Sequence, residues 1–323
     1  MGATPILEIE HLNVSFAAGH GAMPAVRDVS LAVAAGETVG VVGESGSGKT
    51  QLFMAAMGLL ARNAAVSGSV RFDGNELLGA PLPLLNSFRG SKLTMVFQDP
   101  MTSLTPHLRI GAQLSEVLTH HRRAAPGDAR KLSRDMLERV RIPDPSLCLW
   151  QYPHQLSGGM RQRVMIAMSL LCNPALVIAD EPTTALDVTV QVQILELLRQ
   201  VRAEFGMALI LISHDLSVVG RIAGRVLVMY AGRIVEASPT AELWRAPQHP
   251  YTAELLRCAP SLTGPLLSRL PTLPGQAPQP WQVGAGCAFA PRCGRATELC
   301  RRELPVLSGS ANRQVACHFP LTA

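Results

Sequence analysis

An α/β fold built on a mainly parallel sheet is predicted by three features of this 323-residue sequence. The runs ALVIAD (175–180) and ALILIS (208–213) are short, apolar and end in polar residues, as buried strands do. Between them, VTVQVQILELLRQVRAEFG has helical periodicity. Near the front, the apolar run ending at Val42, the loop GESGSGKT (43–50) and the helix-like QLFMAAMGLLAR (51–62) follow in strand–loop–helix order. Strands alternating with helices imply a sheet whose ligand sites lie beyond the C-terminal ends of its strands.

Along the chain, ILEIEHLNVSF, SLAVAAGET and VGVVG read as β-rich segments, and VSGSVRFDGNEL as a hairpin turning at Asp73 and Gly74. A helical middle runs from about Pro106 to Cys172, broken at prolines such as Pro143 and Pro145. Composition changes after about Pro247, where PLLSRLPTLPGQAPQPWQVGAG (265–286) reads as an extended connection with little packed structure. A short cysteine-bearing tail follows, and a boundary is placed near residue 240.

Hydrophobic content of 47% fits a globular chain. The net charge of +5 is spread out and forms no run like a DNA-binding arm, so no nucleic-acid partner is expected. The first residues, MGATPILEIEH, lack the order of a signal peptide, and no apolar stretch reaches the roughly 18 to 20 residues of a spanning helix. A cytoplasmic protein is expected, with any membrane association made through a partner.

The spacing G-x-x-x-x-G-K-[ST] in GESGSGKT points to phosphate chemistry. Gly43, Gly46 and Gly48 let backbone N–H groups converge on an anion, Lys49 reaches the outer phosphates, and the Thr50 hydroxyl can ligate Mg²⁺. In LVIADEP, Asp180 suits a Mg²⁺ shell and Glu181 suits general-base work; the plain alternative is two acids at a strand end. LSGGMRQR places Ser157, Gly158 and Gly159 ahead of a helix, either a second phosphate cradle serving a nucleotide held by another subunit or a flexible turn.

In order, GESGSGKT, VFQDP, LSGGMRQR, LVIADEP, TTALD and LISHD resemble the ATP-binding subunit of an ABC transporter over residues from about 7 to 240. FQDPMTSLTP, QYPHQLSGGMRQRVMIAMSL and DEPTTALDVTVQ narrow the likeness to the dipeptide, oligopeptide and nickel importer group. Met160 departs from the general LSGGQ pattern but is similar to what this group uses. The resemblance implies a P-loop ATPase with a RecA-like core, an antiparallel β subdomain and a helical subdomain (about 100–172) within residues 1–240, plus a small C-terminal extension over 241–323.

It also implies site roles. Phe16 would stack on adenine, where a strand aromatic in the core is the alternative. Ser45 joins the ATP-binding loop. Gln98 would sense Mg²⁺ and touch the membrane partner, or is a solvated loop group. Ser157 and Gly159 would bind the γ-phosphate on the opposing ATPase subunit. Asp187 would link the two sites of the dimer, or simply caps the following helix. His214 would hold the γ-phosphate and the attacking water, and this role rests on the resemblance.

Four of the seven cysteines, Cys287, Cys293, Cys300 and Cys317, crowd the tail with five, six and sixteen residues between them. These spacings match neither common zinc ribbons nor the usual ferredoxins, yet four thiols in a short tail favour a metal. The tail resembles the extension of oligopeptide and dipeptide importer ATPases, of which a subset with this G-C-x-F-x-x-R-C pattern carries a [4Fe–4S] cluster. Zinc is the second choice and free thiols the third. Cys148, Cys172 and Cys258 read as packed thiols.

The implied protein is an ATPase subunit energising import of di- and oligopeptides, from the cytoplasmic face of the inner membrane. Its partners would be two transmembrane permease subunits, an extracytoplasmic solute-binding protein and a second ATPase subunit, with a heterodimer preferred and an identical copy left open. Nickel import, a soluble ABC ATPase on ribosomes or DNA, and a non-catalytic regulatory ATPase are the alternatives. The single phosphate loop and the lack of a sustained heptad run weigh against the second, and intact Lys49, Asp180, Glu181 and His214 against the third.

Overall fold

The computed structural model describes residues 5–18, 21–99, 103–184, 186–258, 273–310 and 312–322. Two compact units emerge: a first of Met1–Ile6, Val33–Glu37 and Gly79–Leu211, and a second of Leu7–Ala32, Thr38–Leu78 and Ile212–Ala323.

The second unit holds most of β1 (Pro5–Ala18) and β2 (Gly21–Ala34), apart from the first two residues of β1 and the last two of β2, and all of β3 (Thr38–Val42). Then come helix α1 (Lys49–Ala56) and strands β4 (Ala64–Phe72) and β5 (Asn75–Glu76). One sheet runs β2-β1-β4-β5, antiparallel from β1 through β4 to β5. Along β1 the buried residues are Leu7, Ile9, Leu12 and Val14. That change of phase coincides with a register shift between Glu10 and Asn13, a bulge that keeps both apolar pairs on one face. The expected hairpin is present: Phe72 pairs with Asn75 across Asp73 and Gly74, whose φ angles of 50° and 75° make the two-residue turn that suits a twisted hairpin.

Helix α1 stops at Ala56, short of the Arg62 that the apolar run suggested. Gly58 at φ 62° donates to Ala55 O and Leu59 N donates to Met54 O, a Schellman ending that satisfies the last carbonyls.

The first unit supplies α2 (Leu82–Phe88), β6 (Leu93–Val96), α3 (Ile110–Arg122), α4 (Pro126–Arg139) and α5 (Pro145–Cys148). It continues with α6 (Gly158–Leu170), β7 (Leu176–Asp180), α7 (Val188–Phe205) and β8 (Ala208–Ser213), whose last two residues fall in the second unit. The helical middle is therefore observed as separate helices. Pro126 and Pro145 sit in first turns, where a missing N–H costs nothing, and the Asp144 carboxylate caps α5 by accepting from Leu147 N. Strands run β8-β7-β6, with β6 and β7 parallel from Leu93↔Leu176 to Val96↔Ala179. Every residue of β7 and β8 is buried, as a sheet covered on both faces requires.

The rest of the second unit comprises α8 (Leu216–Gly220), β9 (Arg225–Tyr230), β10 (Arg233–Pro239), α9 (Thr240–Arg245), α10 (Pro250–Cys258), α11 (Glu298–Arg302), β11 (Ser308–Ser310) and β12 (Arg313–Val315). Its strands run β11-β12-β10-β9-β3, parallel only between β3 and β9. This antiparallel addition was not read from the sequence. Of the connection expected over 265–286, residues 265–272 lie outside the described residues; the remainder holds one short 3₁₀ turn, Pro280–Gln282.

Candidate nucleotide site

The phosphate loop leaves β3 and enters α1, as its motif requires. Its glycines have distinct causes. A Cβ on Gly43 would stand 2.2 Å from Met229 O, and one on Gly48 2.3 Å from Ala25 O, so both positions are closed by neighbouring backbone. Gly46 has φ 79° and open space around it, so its glycine answers to backbone conformation alone. Ser45 and Gly46 are exposed. Lys49 is 5% exposed, and its ammonium donates to Gly43 O (2.7 Å), Glu44 O (2.9 Å) and Ser47 Oγ (3.3 Å). The loop thus stores its lysine on its own oxygens. Thr50 follows at the start of α1, half-buried.

In the first unit, Asp180 ends β7 and is 2% exposed. Glu181 follows at φ 45°, a left-handed conformation that an L side chain adopts at a cost of about 1–2 kcal/mol. Strain of this kind collects at functional positions. One oxygen of its carboxylate, Oε2, accepts from Gln98 Nε2 at 3.1 Å and from Thr184 Oγ1 at 2.8 Å. Gln98 and Glu181, far apart in sequence, are therefore brought together; Thr184 was missed, although TTALD contained it. The Asp180 carboxylate of the first unit and the Thr50 hydroxyl of the second are each hard oxygen donors of the kind Mg²⁺ takes.

Ser157 caps α6, its Oγ accepting from Met160 N at 3.3 Å. A Cβ on Gly159 would lie 2.8 Å from Val190 Cγ1, and one on Gly158 3.4 Å from Leu186 Cδ2. Gly159 is thus fixed by helix packing within the unit. Asp187 caps α7 by accepting from Val190 N at 2.9 Å and is exposed, so the capping alternative is seen directly. Ala185, in the same motif, lies outside the described residues. In the second unit, Phe16 is half-buried on β1 opposite Ala64, and His214 is exposed just beyond β8.

The cysteine tail gathers in space. Cys287, Cys293, Cys300 and Cys317 all line one cavity of about 20 Å³, beside His249 and Phe289. Burial, with the other thiols nearby, pushes Cys287 and Cys317 above the usual thiol range. Four soft donors on one cavity fit an iron–sulfur cluster or zinc in ligand chemistry. The room is that of a water or two, so the side chains would have to part to admit either group. Among the described residues no three His, Cys, Asp or Glu side chains form a group that could hold a metal ion as placed. Of the three remaining thiols Cys148 is fully buried, whereas Cys172 and Cys258 are half-buried, less packed than expected.

The ABC transporter profile matches residues 26–184 and the profile of the oligopeptide/dipeptide transporter C-terminal region matches residues 235–300. The chain is 48% identical, over 319 residues, to the oligopeptide transport ATP-binding protein OppD of Salmonella typhimurium, covering 99% of this chain and 95% of that one. The chain belongs to the ABC transporter ATPase family. The OppD of Haemophilus influenzae is 48% identical over 92% of both chains. Among solved structures, a dimeric ATP-binding cassette in a post-hydrolysis state with ADP and Pi superposes at a TM-score of 0.65, with 27% identity over 72% of this chain and 98% of that one. The likeness to ABC cassettes bears out the expected α/β ATPase fold. Among the described residues no helix is long and apolar enough to cross a membrane.

Proposed function

We propose that this ABC ATPase energises import of di- and oligopeptides from the cytoplasmic face of the inner membrane. It would work with two permease subunits, a solute-binding protein and a second ATPase subunit. The observation that carries this reading is the near-full-length likeness to oligopeptide transport ATP-binding proteins, extending into the cysteine-bearing C-terminal region. Residues 1–240 form the ATPase domain, with its helical subdomain at about 100–172, and 241–323 the extension.

Each site residue has a role in this reading. Phe16 stacks on adenine. The N–H groups of residues 45, 46 and 48–50 cradle the phosphates, and Lys49 serves the outer phosphates. Thr50, Asp180 and Gln98 would hold Mg²⁺, which would supply charge neutralisation to the phosphates when bound. Glu181 accepts the proton of the attacking water, which His214 helps orient. Ser157, Gly158 and Gly159 serve the nucleotide of the opposing subunit, and Asp187 links the two sites. Closure driven by binding reorients the permeases, and hydrolysis resets them.

Cys287, Cys293, Cys300 and Cys317 would hold a [4Fe–4S] cluster, which would staple a tail with little core of its own. Support comes from their convergence on one cavity. Anaerobically purified protein should contain iron and acid-labile sulfide; zinc without either overturns the cluster. For the transporter itself, the tagged chain pulled from detergent-solubilised membranes should bring two permeases and a second ATPase. Ribosomal or DNA-repair partners without permeases would sink the importer reading.

A further inference from the structure

The phosphate loop is held from a distance by a part of the chain that does not belong to any nucleotide motif. Glu44, the second residue of GESGSGKT, forms a two-pronged ion pair with Arg292, 248 residues away: Nη1 to Oε2 at 2.6 Å and Nη2 to Oε1 at 2.9 Å. Such parallel pairing fixes both planes as well as both charges. The Arg292 side chain is 5% exposed, and its Nη1 also donates to the Tyr230 hydroxyl at 3.2 Å. The main chain of Glu44 is held too, its N–H donating to the Tyr251 hydroxyl at 2.9 Å.

Those holding groups are themselves closely packed. Tyr230 and Tyr251 are fully buried, with ring centroids 4.6 Å apart, and the Phe289 ring packs within 5.3 Å of one and 5.4 Å of the other. The fully buried Glu236 carboxylate accepts from the N–H groups of Gln248 and His249, both at 2.8 Å, and so fixes the start of α10 on which Tyr251 sits. Burial pushes the Tyr251 hydroxyl above its ordinary range.

Glu44 passes this restraint to the nucleotide chemistry, because its carbonyl is one of the oxygens that hold Lys49. With the Glu44 N–H engaged by Tyr251, the phosphate cradle begins at Ser45. We propose that Arg292 and Tyr251, in the C-terminal region, are positioning residues of the nucleotide site, holding Glu44 and through it Lys49 and the phosphate loop ready for ATP. The C-terminal region is thereby a part of the ATP-binding apparatus. The inference rests on the reading of GESGSGKT as the ATP loop.

The test is a titration of the full chain with ATP, followed by KM and kcat for ATP in the assembled transporter, on Arg292→Ala, Arg292→Lys, Tyr251→Phe, Glu44→Ala, Arg292→Ala/Glu44→Ala and Lys49→Ala. Arg292→Ala and Glu44→Ala should each weaken ATP binding about tenfold, and the double variant should be no weaker than the worse single, the mark of one shared interaction. KM should rise while kcat at saturating ATP changes by less than about threefold, because a preset loop favours ground and transition states alike. Arg292→Lys should recover part of the loss, a point charge replacing a fork. Wild-type affinity in folded Arg292→Ala, or strictly additive losses in the double variant, overturns the proposal. Where Arg292→Ala does not fold, wild-type affinity in both Arg292→Lys and Tyr251→Phe overturns it. Lys49→Ala separates the two layers: if it binds ATP normally, the loop reading fails; if it loses ATP while the clamp variants do not, the clamp alone fails.

Discussion

Glu181→Gln tests the assignment of the base, and the structure sets what should and should not change. Glu181 Oε2 accepts from Gln98 Nε2 and Thr184 Oγ1. A glutamine whose amide oxygen takes that place keeps both bonds, and the backbone at φ 45° is unaltered in kind. ATP affinity should therefore stay within about threefold of wild type, since nothing that binds ground state has been removed. An amide does not take up a proton, so kcat should fall by about 10²–10⁴, the usual worth of a positioned base. That range is a barrier increase of about 3–5 kcal/mol. Phosphate release from the assembled transporter at saturating MgATP reads kcat, and nucleotide titration reads affinity. A kcat within tenfold of wild type would refute the base assignment, and a large loss of affinity would refute the isosteric reasoning. A companion pair isolates the backbone. Because Glu181 occupies the left-handed region, Glu181→Gly should be more stable than Glu181→Ala by about 1 kcal/mol, the reverse of their order in an ordinary strand. Equal melting temperatures would mean that no strain is stored there.

Gly48→Ala and Gly46→Ala should separate packing from conformation. The first forces a Cβ to 2.3 Å from Ala25 O at φ 96° and should cost at least about 3 kcal/mol, whereas the second, in open space at φ 79°, should cost about 1 kcal/mol, read by denaturant unfolding. Asp187→Ala should lose a helix cap worth about 1 kcal/mol, while Asp187→Asn keeps the cap. An ATPase defect in the asparagine variant would reveal a role for the charge, and a defect in the alanine variant alone would leave only the cap. Cys148, fully buried with its thiol pushed up to about 11 by burial and by Asp144, should resist alkylation at pH 8 until the chain unfolds, as peptide mass mapping would report.

The parts of the fold that were legible are those whose cause is local. GESGSGKT demands a strand before it and a helix after it, and both are there. Asp73-Gly74 dictates its own turn. The β9–β10 hairpin escaped because its turn is Ala231-Gly232, with φ 47° and 83°. Alanine is a poor advertisement for a left-handed position, and nearly all of both strands is buried, so no alternation marks them. The C-terminal end of α1 was misjudged for a similar reason: the apolar run continues to Leu60, and only Gly58 signals the stop.

Among the site residues, Gln98 and Glu181 were found through their motifs, and the hydrogen bond between them is a fact of the fold alone. Glu44 was unremarkable in sequence, an x position of the motif, and its partner Arg292 stood out only as the R of G-C-x-F-x-x-R-C. A pair 248 residues apart leaves no periodic trace. Its consequence is that a motif match and a working site are different things. Gly43 and Gly48 are needed by neighbouring backbone, Gly46 by its conformation, and Lys49 is stored on carbonyls whose positions depend on Glu44. A chain could therefore keep all of GESGSGKT and still bind ATP poorly once Arg292 is lost. Grafting the loop onto a scaffold without Tyr251 and Arg292 should reproduce that weakness, because the phosphate donors would be present and the restraint that presets them would not.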